Sequence, residues 1–311
     1  MARILITGAA GFIGSHTADL LLASGHEVLG IDNLRTGREV NLANASRNPR
    51  FRLLREDITT EGLLIGLVAA EKPDAILHLA ALVSVPESIA DPVLNRRLNL
   101  EATRLVTAAA AASASVRRIA FASSAAVYGA NADLPLHETA QTKPLSPYGE
   151  AKLESEKILA DLSRSRPDIS TVALRYFNVY GPRQDPRSPY SGVISLLAAA
   201  FREGRPFTLH GDGGQTRDFV SVADVARANA LALTHPVNSS LVVNVCTGHA
   251  TALTEMIRAM GTITGRALDP ARQPAREGDI RHSLGAPEAA QRHLGFCSAD
   301  SIESGLRSFL A

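Results

Sequence analysis

Seven short apolar runs punctuate the chain: Arg3–Thr7, Glu27–Ile31, Phe51–Leu54, Ala75–His78, Arg118–Phe121, Thr171–Leu174 and Leu241–Val245. They are rich in aliphatic and β-branched side chains with little polar alternation, the pattern of strands covered on both faces. Longer segments of helical period separate them. From about 95 to 112 the apolar positions include Leu98, Leu105, Val106 and Ala109, and from Tyr148 to about Leu162 they include Ala151, Ile158, Leu159 and Leu162. Both segments predict amphipathic helices. Repeated alternation of strand and helix predicts an α/β fold with a doubly wound parallel sheet of about seven strands.

The pattern changes after Tyr176. Gly181-Pro182-Arg183, Asp185-Pro186, Ser188-Pro189 and Gly211-Asp212-Gly213-Gly214 interrupt regular structure. We therefore expect two units, the sheet domain from 1–177 plus about 217–261, and a smaller α/β C-terminal lobe from about 178–216 plus 262–311.

Composition narrows the class. A chain of 311 residues with 45% hydrophobic content can bury a sizeable core. Its 32 basic and 31 acidic residues supply no field for nucleic acid or an anionic membrane surface, so a bound anion has to be held by local groups. Cys246 and Cys297 lack metal-ligand spacing, the start Met1-Ala2-Arg3 runs directly into a strand, and no apolar stretch is long enough to cross a bilayer. A cytoplasmic protein without structural disulfide or metal is the expectation.

Two constellations carry chemistry. Tyr148 and Lys152 are four residues apart at the head of the second helical segment, and so share one helix face. A cation beside a phenol favours phenolate and is expected to lower Tyr148 from its reference of about 10, making it a base for an alcohol proton. Ser123 and Ser124 end the fifth apolar run upstream. At the N-terminus, Thr7-Gly8-Ala9-Ala10-Gly11-Phe12-Ile13-Gly14 follows the first strand and opens a helix. Glycines there permit a tight turn and close approach of a pyrophosphate, giving the sheet a Rossmann-like character. Asp32, at the end of the second strand, sits where a carboxylate meets ribose hydroxyls and disfavours a 2′-phosphate, which points to NAD. Arg35, three residues on, is either a phosphate partner or a solvated surface charge.

In order along the chain, Thr7 to Gly14, Asp57-Ile58, His78-Leu79-Ala80-Ala81, Asn99, Ser123 to Gly129, Tyr148 to Lys152, and Arg175 to Pro182 resemble the extended short-chain dehydrogenase/reductase family, nearly end to end. The resemblance implies that Gly8, Gly11, Phe12, Ile13, Gly14, Asp32, Asn33, Asp57, Ile58, Ala80, Asn99, Lys152 and Phe177 line a tightly bound NAD, and that Ser124, Tyr148 and Lys152 form the catalytic group. Family members that dehydrate nucleotide sugars carry an acidic pair after the strand-five hydroxyl residue, whereas Ala125, Ala126 and Val127 stand here. The chain looks instead like the UDP-glucose 4-epimerase group, an isomerase chemistry that removes and returns one hydride at sugar C4.

By the same resemblance Arg217, in Gly211 to Val220, and Arg276 grip a diphosphate, Asp279 meets the nucleotide ribose, and Asn178 faces the phosphates. The UDP-sugar would thus touch Ser124, Tyr148, Asn178, Arg217, Arg276 and Asp279. The segment 181–194 looks more like that of epimerases handling N-acetylhexosamines, and the position occupied by a bulky tyrosine in some glucose-restricted relatives falls near Ser283. A homodimer through the helices near Asn95 and Tyr148 is also implied. Epimerisation of another nucleotide sugar, nucleotide-sugar oxidoreduction, and non-catalytic NAD binding remain open at this point.

Overall fold

The computed structural model describes residues 1–185, 192–275 and 280–310. Strands β1 (Arg3–Thr7), β2 (Glu27–Ile31), β3 (Phe51–Leu54), β4 (Ala75–His78), β5 (Arg118–Ser124) and β6 (Ser170–Tyr176) occur where the apolar runs predict them; β5 and β6 extend further, to Ser124 and Tyr176. Three shorter segments, β7 (Asn178–Tyr180), β8 (Thr208–His210) and β9 (Thr216–Ser221), precede β10 (Ser240–Val245), and β11 (Ala250–Ala252) and β12 (Ala271–Gln273) follow.

The main sheet is all parallel, in the order β3-β2-β1-β4-β5-β6-β10. Chain order reverses between β1 and β4, where Thr7 pairs with Ile31 on one side and His78 on the other. Such a switch point opens a crevice beyond the carboxyl ends of the strands. The pleat divides the core: Ile4 and Ile6 enter one buried cluster with Val172, Leu174 and Val243, whereas Leu5 enters another with Ile76, Ile119 and Phe121.

Helices α1 (Phe12–Ala23), α2 (Leu63–Glu71), α3 (Val85–Ala90), α4 (Pro92–Asn95), α5 (Ala102–Ala112) and α6 (Pro147–Ser165) belong to the first half of the chain. The predicted helix near Asn95 is built in pieces, α4 passing through a π-helical turn at Arg96–Glu101 into α5. Helix α6 starts sharply because Ser146 caps the Gly149 amide at 3.2 Å and Pro147 occupies the first turn. That start fixes the rotation of Tyr148 and Lys152 relative to the sheet.

Beyond Tyr176 come α7 (Val193–Glu203), α8 (Val222–Thr234), α9 (Leu253–Thr264), α10 (Glu288–Leu294) and α11 (Ile302–Leu310). Tyr180, Leu197, Phe201, Phe219, Met256, Met260, Leu306 and Phe309 form a separate buried cluster there. The small sheets β11-β9-β7 and β12-β8 flank it. Asp218, wholly buried on β9, ties this region to the end of β10 by accepting from the Thr247 amide and hydroxyl, both at 2.8 Å, and from the Gly248 amide at 2.9 Å. No helix among the described residues is long and apolar enough to cross a membrane.

Candidate active site

A cavity of ≈ 470 Å³ lies at the switch point, walled by the carboxyl ends of the central strands. Its floor is the turn after β1. Gly8 has φ +75, and a side chain there would meet the Ala80 amide at 2.8 Å; at Gly14 a Cβ would fall 2.2 Å from the Gly8 carbonyl. Only glycine lets the turn close this tightly beneath a bound group. Helix α1 opens from Gly11 with no side-chain cap and no acidic residue in its first turn, so its amides face the cavity as an anion site.

Around that turn the cavity is lined by Gly8, Gly11, Phe12, Ile13, Gly14, Asp32, Asn33, Asp57, Ile58, Ala80 and Phe177. Asp32 accepts from the amides of Ala10 at 2.9 Å and Leu34 at 2.8 Å, which hold its carboxylate at the end of β2. Burial pushes it above the ordinary aspartate range, and those two amides oppose the shift. Arg35, left open by the sequence, lines the cavity but is ion-paired with Glu87. Asp57 is anchored by the Thr59 amide at 2.8 Å and by Asn33 at 3.1 Å.

Asn99 stands behind this lining. It does not line the cavity: its side chain accepts from the Leu82 amide at 3.1 Å and donates to the Leu82 carbonyl at 3.0 Å and Asn95 Oδ1 at 2.6 Å. It braces the wall segment after β4 from behind, because the π-helical turn rotates it toward that segment.

Opposite the glycine turn stand Ser124, Tyr148 and Lys152. Lys152 is 3% exposed and donates to the Ala122 carbonyl at 2.7 Å, its Nζ lying 4.7 Å from the centre of the Phe121 ring and 5.7 Å from that of Tyr148. Burial draws its pKa down to about 7, with Glu156 opposing. Tyr148 corrects the electrostatic expectation. Its phenol is raised from the usual value, not lowered, because desolvation by the crowded wall outweighs the hydrogen bond with Ser124. The sequence placed a cation beside the phenol but could not show that the lysine is buried and the phenol half-buried and desolvated. His78 lies beneath, its ring between Thr7 Oγ1 at 2.8 Å and Thr103 Oγ1 at 3.3 Å, with burial and then Lys152 lowering it to about 3.

Arg183, Gln184 and Asp185 complete the wall, residues read from sequence as a break in structure and as part of a segment bearing on substrate range, not as cavity lining. His16 Nε2 donates to the Pro182 carbonyl at 2.9 Å, Arg183 pairs with Asp19 at 2.6 Å, and Arg38 approaches Asp185 at 3.9 Å. The first two contacts strap the segment to α1, and the third to the loop after β2. Arg183 Nη1 is buried without a hydrogen-bond partner, on a residue that lines the same cavity as the α1 terminus. These pairings carried no local signal in the sequence, since the partners are more than 140 positions apart.

Asn178 also reaches the cavity, whereas Arg217 lies outside its lining, donating to the carbonyls of Thr216 at 2.9 Å and Arg281 at 3.3 Å. Arg276 and Asp279 lie outside the described residues. Among the described residues no group of three or more His, Cys, Asp or Glu side chains could hold a metal ion.

Comparison with known proteins matches this arrangement. Residues 4–246 match the model of the NAD dependent epimerase/dehydratase family. A UDP-glucose 4-epimerase of Mycolicibacterium smegmatis is 38% identical over 305 residues, 98% of this chain and 96% of that protein. A UDP-N-acetylglucosamine 4-epimerase from Methanobrevibacter ruminantium, solved with UDP-N-acetylmuramic acid, superposes with TM-score 0.93 at 34% identity, covering 99% of this chain and 97% of that one. A UDP-glucose-4-epimerase from Stenotrophomonas maltophila, solved with NAD and formylated UDP-arabinopyranose, gives TM-score 0.94 at 30% identity, covering 100% and 97%. With the glycine turn, the β2 carboxylate and the Ser-Tyr-Lys wall all facing one crevice, and relatives matched over almost their whole length, the chain belongs to the NAD dependent epimerase/dehydratase family.

Proposed function

We propose that this protein is a UDP-sugar 4-epimerase that interconverts UDP-glucose and UDP-galactose. The observation that carries the reading is the placement of Ser124, Tyr148 and Lys152 opposite the glycine turn in one cavity. The uncapped α1 terminus, the Asp32 carboxylate and Arg183 Nη1 fit a dinucleotide's pyrophosphate and ribose. When bound, NAD supplies a hydride acceptor that later returns the hydride to sugar C4.

In this reading Tyr148 takes the proton of the sugar 4-hydroxyl and gives it back after the keto sugar has turned over. Ser124 hydrogen-bonds the same oxygen, which keeps the hydroxyl aimed at the phenol. Lys152, held by the Ala122 carbonyl, presents positive charge to the phenolate as it forms. A phenol raised by burial is a weak donor of its own proton in the resting protein. Once ionised it is correspondingly a strong base. Ala125, Ala126 and Val127 bring no acid or base to the far side of the sugar, so elimination of water has no proton acceptor there.

The diphosphate and nucleoside would be received by the lobe formed by 178–216 and 262–311, with Asn178, Arg217, Arg276 and Asp279 as anchors. Ser283 is a small residue on that side, its amide bonded to the Thr216 carbonyl at 3.1 Å, which supports acceptance of the N-acetylated pair as well. A homodimer is favoured by the exposed apolar side chains Ile89 and Val93, 60% and 79% open on α3 and α4, and Leu145, 59% open before α6. Incubating the purified protein with UDP-galactose and UDP-N-acetylgalactosamine, without added cofactor, tests the activity and its range. The 4-epimers are the expected products; no conversion of any UDP-hexose would overturn the reading.

A further inference from the structure

One strongly built group is unused by this chemistry. Glu156 lies one helical turn beyond Lys152 on α6 and is buried. Arg175 grips it with two hydrogen bonds, Nε to Oε1 at 2.9 Å and Nη2 to Oε2 at 2.8 Å, and Ser123 donates to the same Oε1. Arg175 is fixed in turn by the Glu138 carbonyl at 3.2 Å and lies 4.8 Å from the centre of the Tyr128 ring. The adjacent serines of β5 are thereby divided: Ser124 serves Tyr148, and Ser123 serves Glu156. Buried ion pairs are poor sources of net stability because desolvation offsets their attraction. A pair this well satisfied, one turn from the site lysine, calls for another role.

The surroundings of Lys152 supply it. On its own helix Lys152 faces Tyr148 and Glu156; from β4 it faces His78; Arg175 of β6 stands behind Glu156, and Tyr176 stands beside Tyr148. The Ala122 carbonyl and the Phe121 ring orient the ammonium but carry no full negative charge. His78 is neutral at physiological pH. We propose that Glu156 is a positioning residue for proton transfer, its carboxylate, pinned by Arg175 and Ser123, sustaining the charge of Lys152 beside Tyr148. The proposal rests on the reading of Tyr148 as the proton acceptor. Burial draws Lys152 to about 7 even with Glu156 in place; without that carboxylate the amine would be neutral at physiological pH and the phenolate unsupported.

The test is a spectrophotometric titration of the Tyr148 phenol in the purified protein with its bound cofactor, taken as the difference between the wild type and Tyr148→Phe, alongside the pH profile of kcat for UDP-galactose. In Glu156→Gln, Tyr148 should ionise at higher pH, and the acid limb of kcat should move up by about one pH unit, with kcat near neutrality about tenfold lower and KM within about twofold. Glu156→Asp should keep the wild-type limb position even where kcat falls. If Glu156→Gln does not fold, Glu156→Gln/Arg175→Gln removes the pair together, and because the lost arginine charge offsets part of the lost carboxylate, a smaller shift in the same upward direction is expected. A folded variant whose Tyr148 titration and limb position match the wild type overturns the proposal, and so does failure of both variants to fold, which would assign Glu156 to the core. Failure of the underlying reading has a different signature: Tyr148→Phe would retain epimerase activity.

Discussion

The wall formed by β5, β6 and α6 and the rim formed by residues 211–221 and 280–285 both carry charge, in opposite environments. On the wall Lys152, Glu156 and Arg175 are 3%, 7% and 5% exposed, Lys152 donating to the Ala122 carbonyl and Arg175 to Glu156. On the rim, the Asp212–Arg281 pair is open to solvent at 60% and 61% of its side-chain surfaces. Buried charges shift one another's protonation and are costly to disturb, whereas exposed pairs are screened. The wall thus has the desolvated charges that proton chemistry needs, whereas the rim carries only screened ones.

Substitutions sharpen that contrast. The largest effect is expected at Tyr148: Tyr148→Phe should lower kcat on the order of 10²- to 10⁴-fold, as loss of a positioned base does, with an unchanged melting transition by circular dichroism. Lys152→Met should also reduce kcat steeply while stabilising the fold. The sign follows from a folded pKa near 7 against 10.5 for the free side chain. The folded state binds fewer protons between those values, so wild-type stability rises with pH across that window and is lowest below it. Lys152→Met should therefore exceed the wild type by on the order of 1–3 kcal/mol below pH 7, with the gap closing toward pH 10; denaturant melts at several pH values measure it.

Asp32→Ala should act on the cofactor and not on the proton. Loss of the acceptor for Ala10 and Leu34 leaves two amides unpaired at the β2 end, and NAD affinity should fall about ten- to a hundredfold, read as cofactor retained through gel filtration. The smallest effect is expected on the rim, where Arg281→Ala should leave the thermal midpoint unchanged. A large loss of stability there would break the comparison.

Much of the fold was legible because it rests on local signals. Short strands buried on both faces advertise themselves by continuous apolar runs, and the glycine turn with its following acid marks the switch point by spacing alone. The helix register that pairs Tyr148 with Lys152 is equally local. What escaped depends on distance and burial. The Glu156–Arg175 pair and the Arg183–Asp19 strap join positions far apart in sequence, and no periodicity announces them. The direction of the Tyr148 shift required knowing that the phenol is itself desolvated in the folded wall. Asn99 was placed on the correct helical segment, but the π-helical turn that aims it at Leu82 is a tertiary outcome.

The central claim is that one hydride leaves sugar C4 and returns to the same carbon inside the closed wall. Its most direct test is UDP-galactose carrying deuterium at C4, incubated with the purified protein in ordinary water without added cofactor, followed by mass and NMR analysis of the UDP-glucose formed. The account predicts that the product keeps deuterium at C4. Exchange of that deuterium for solvent hydrogen would contradict it.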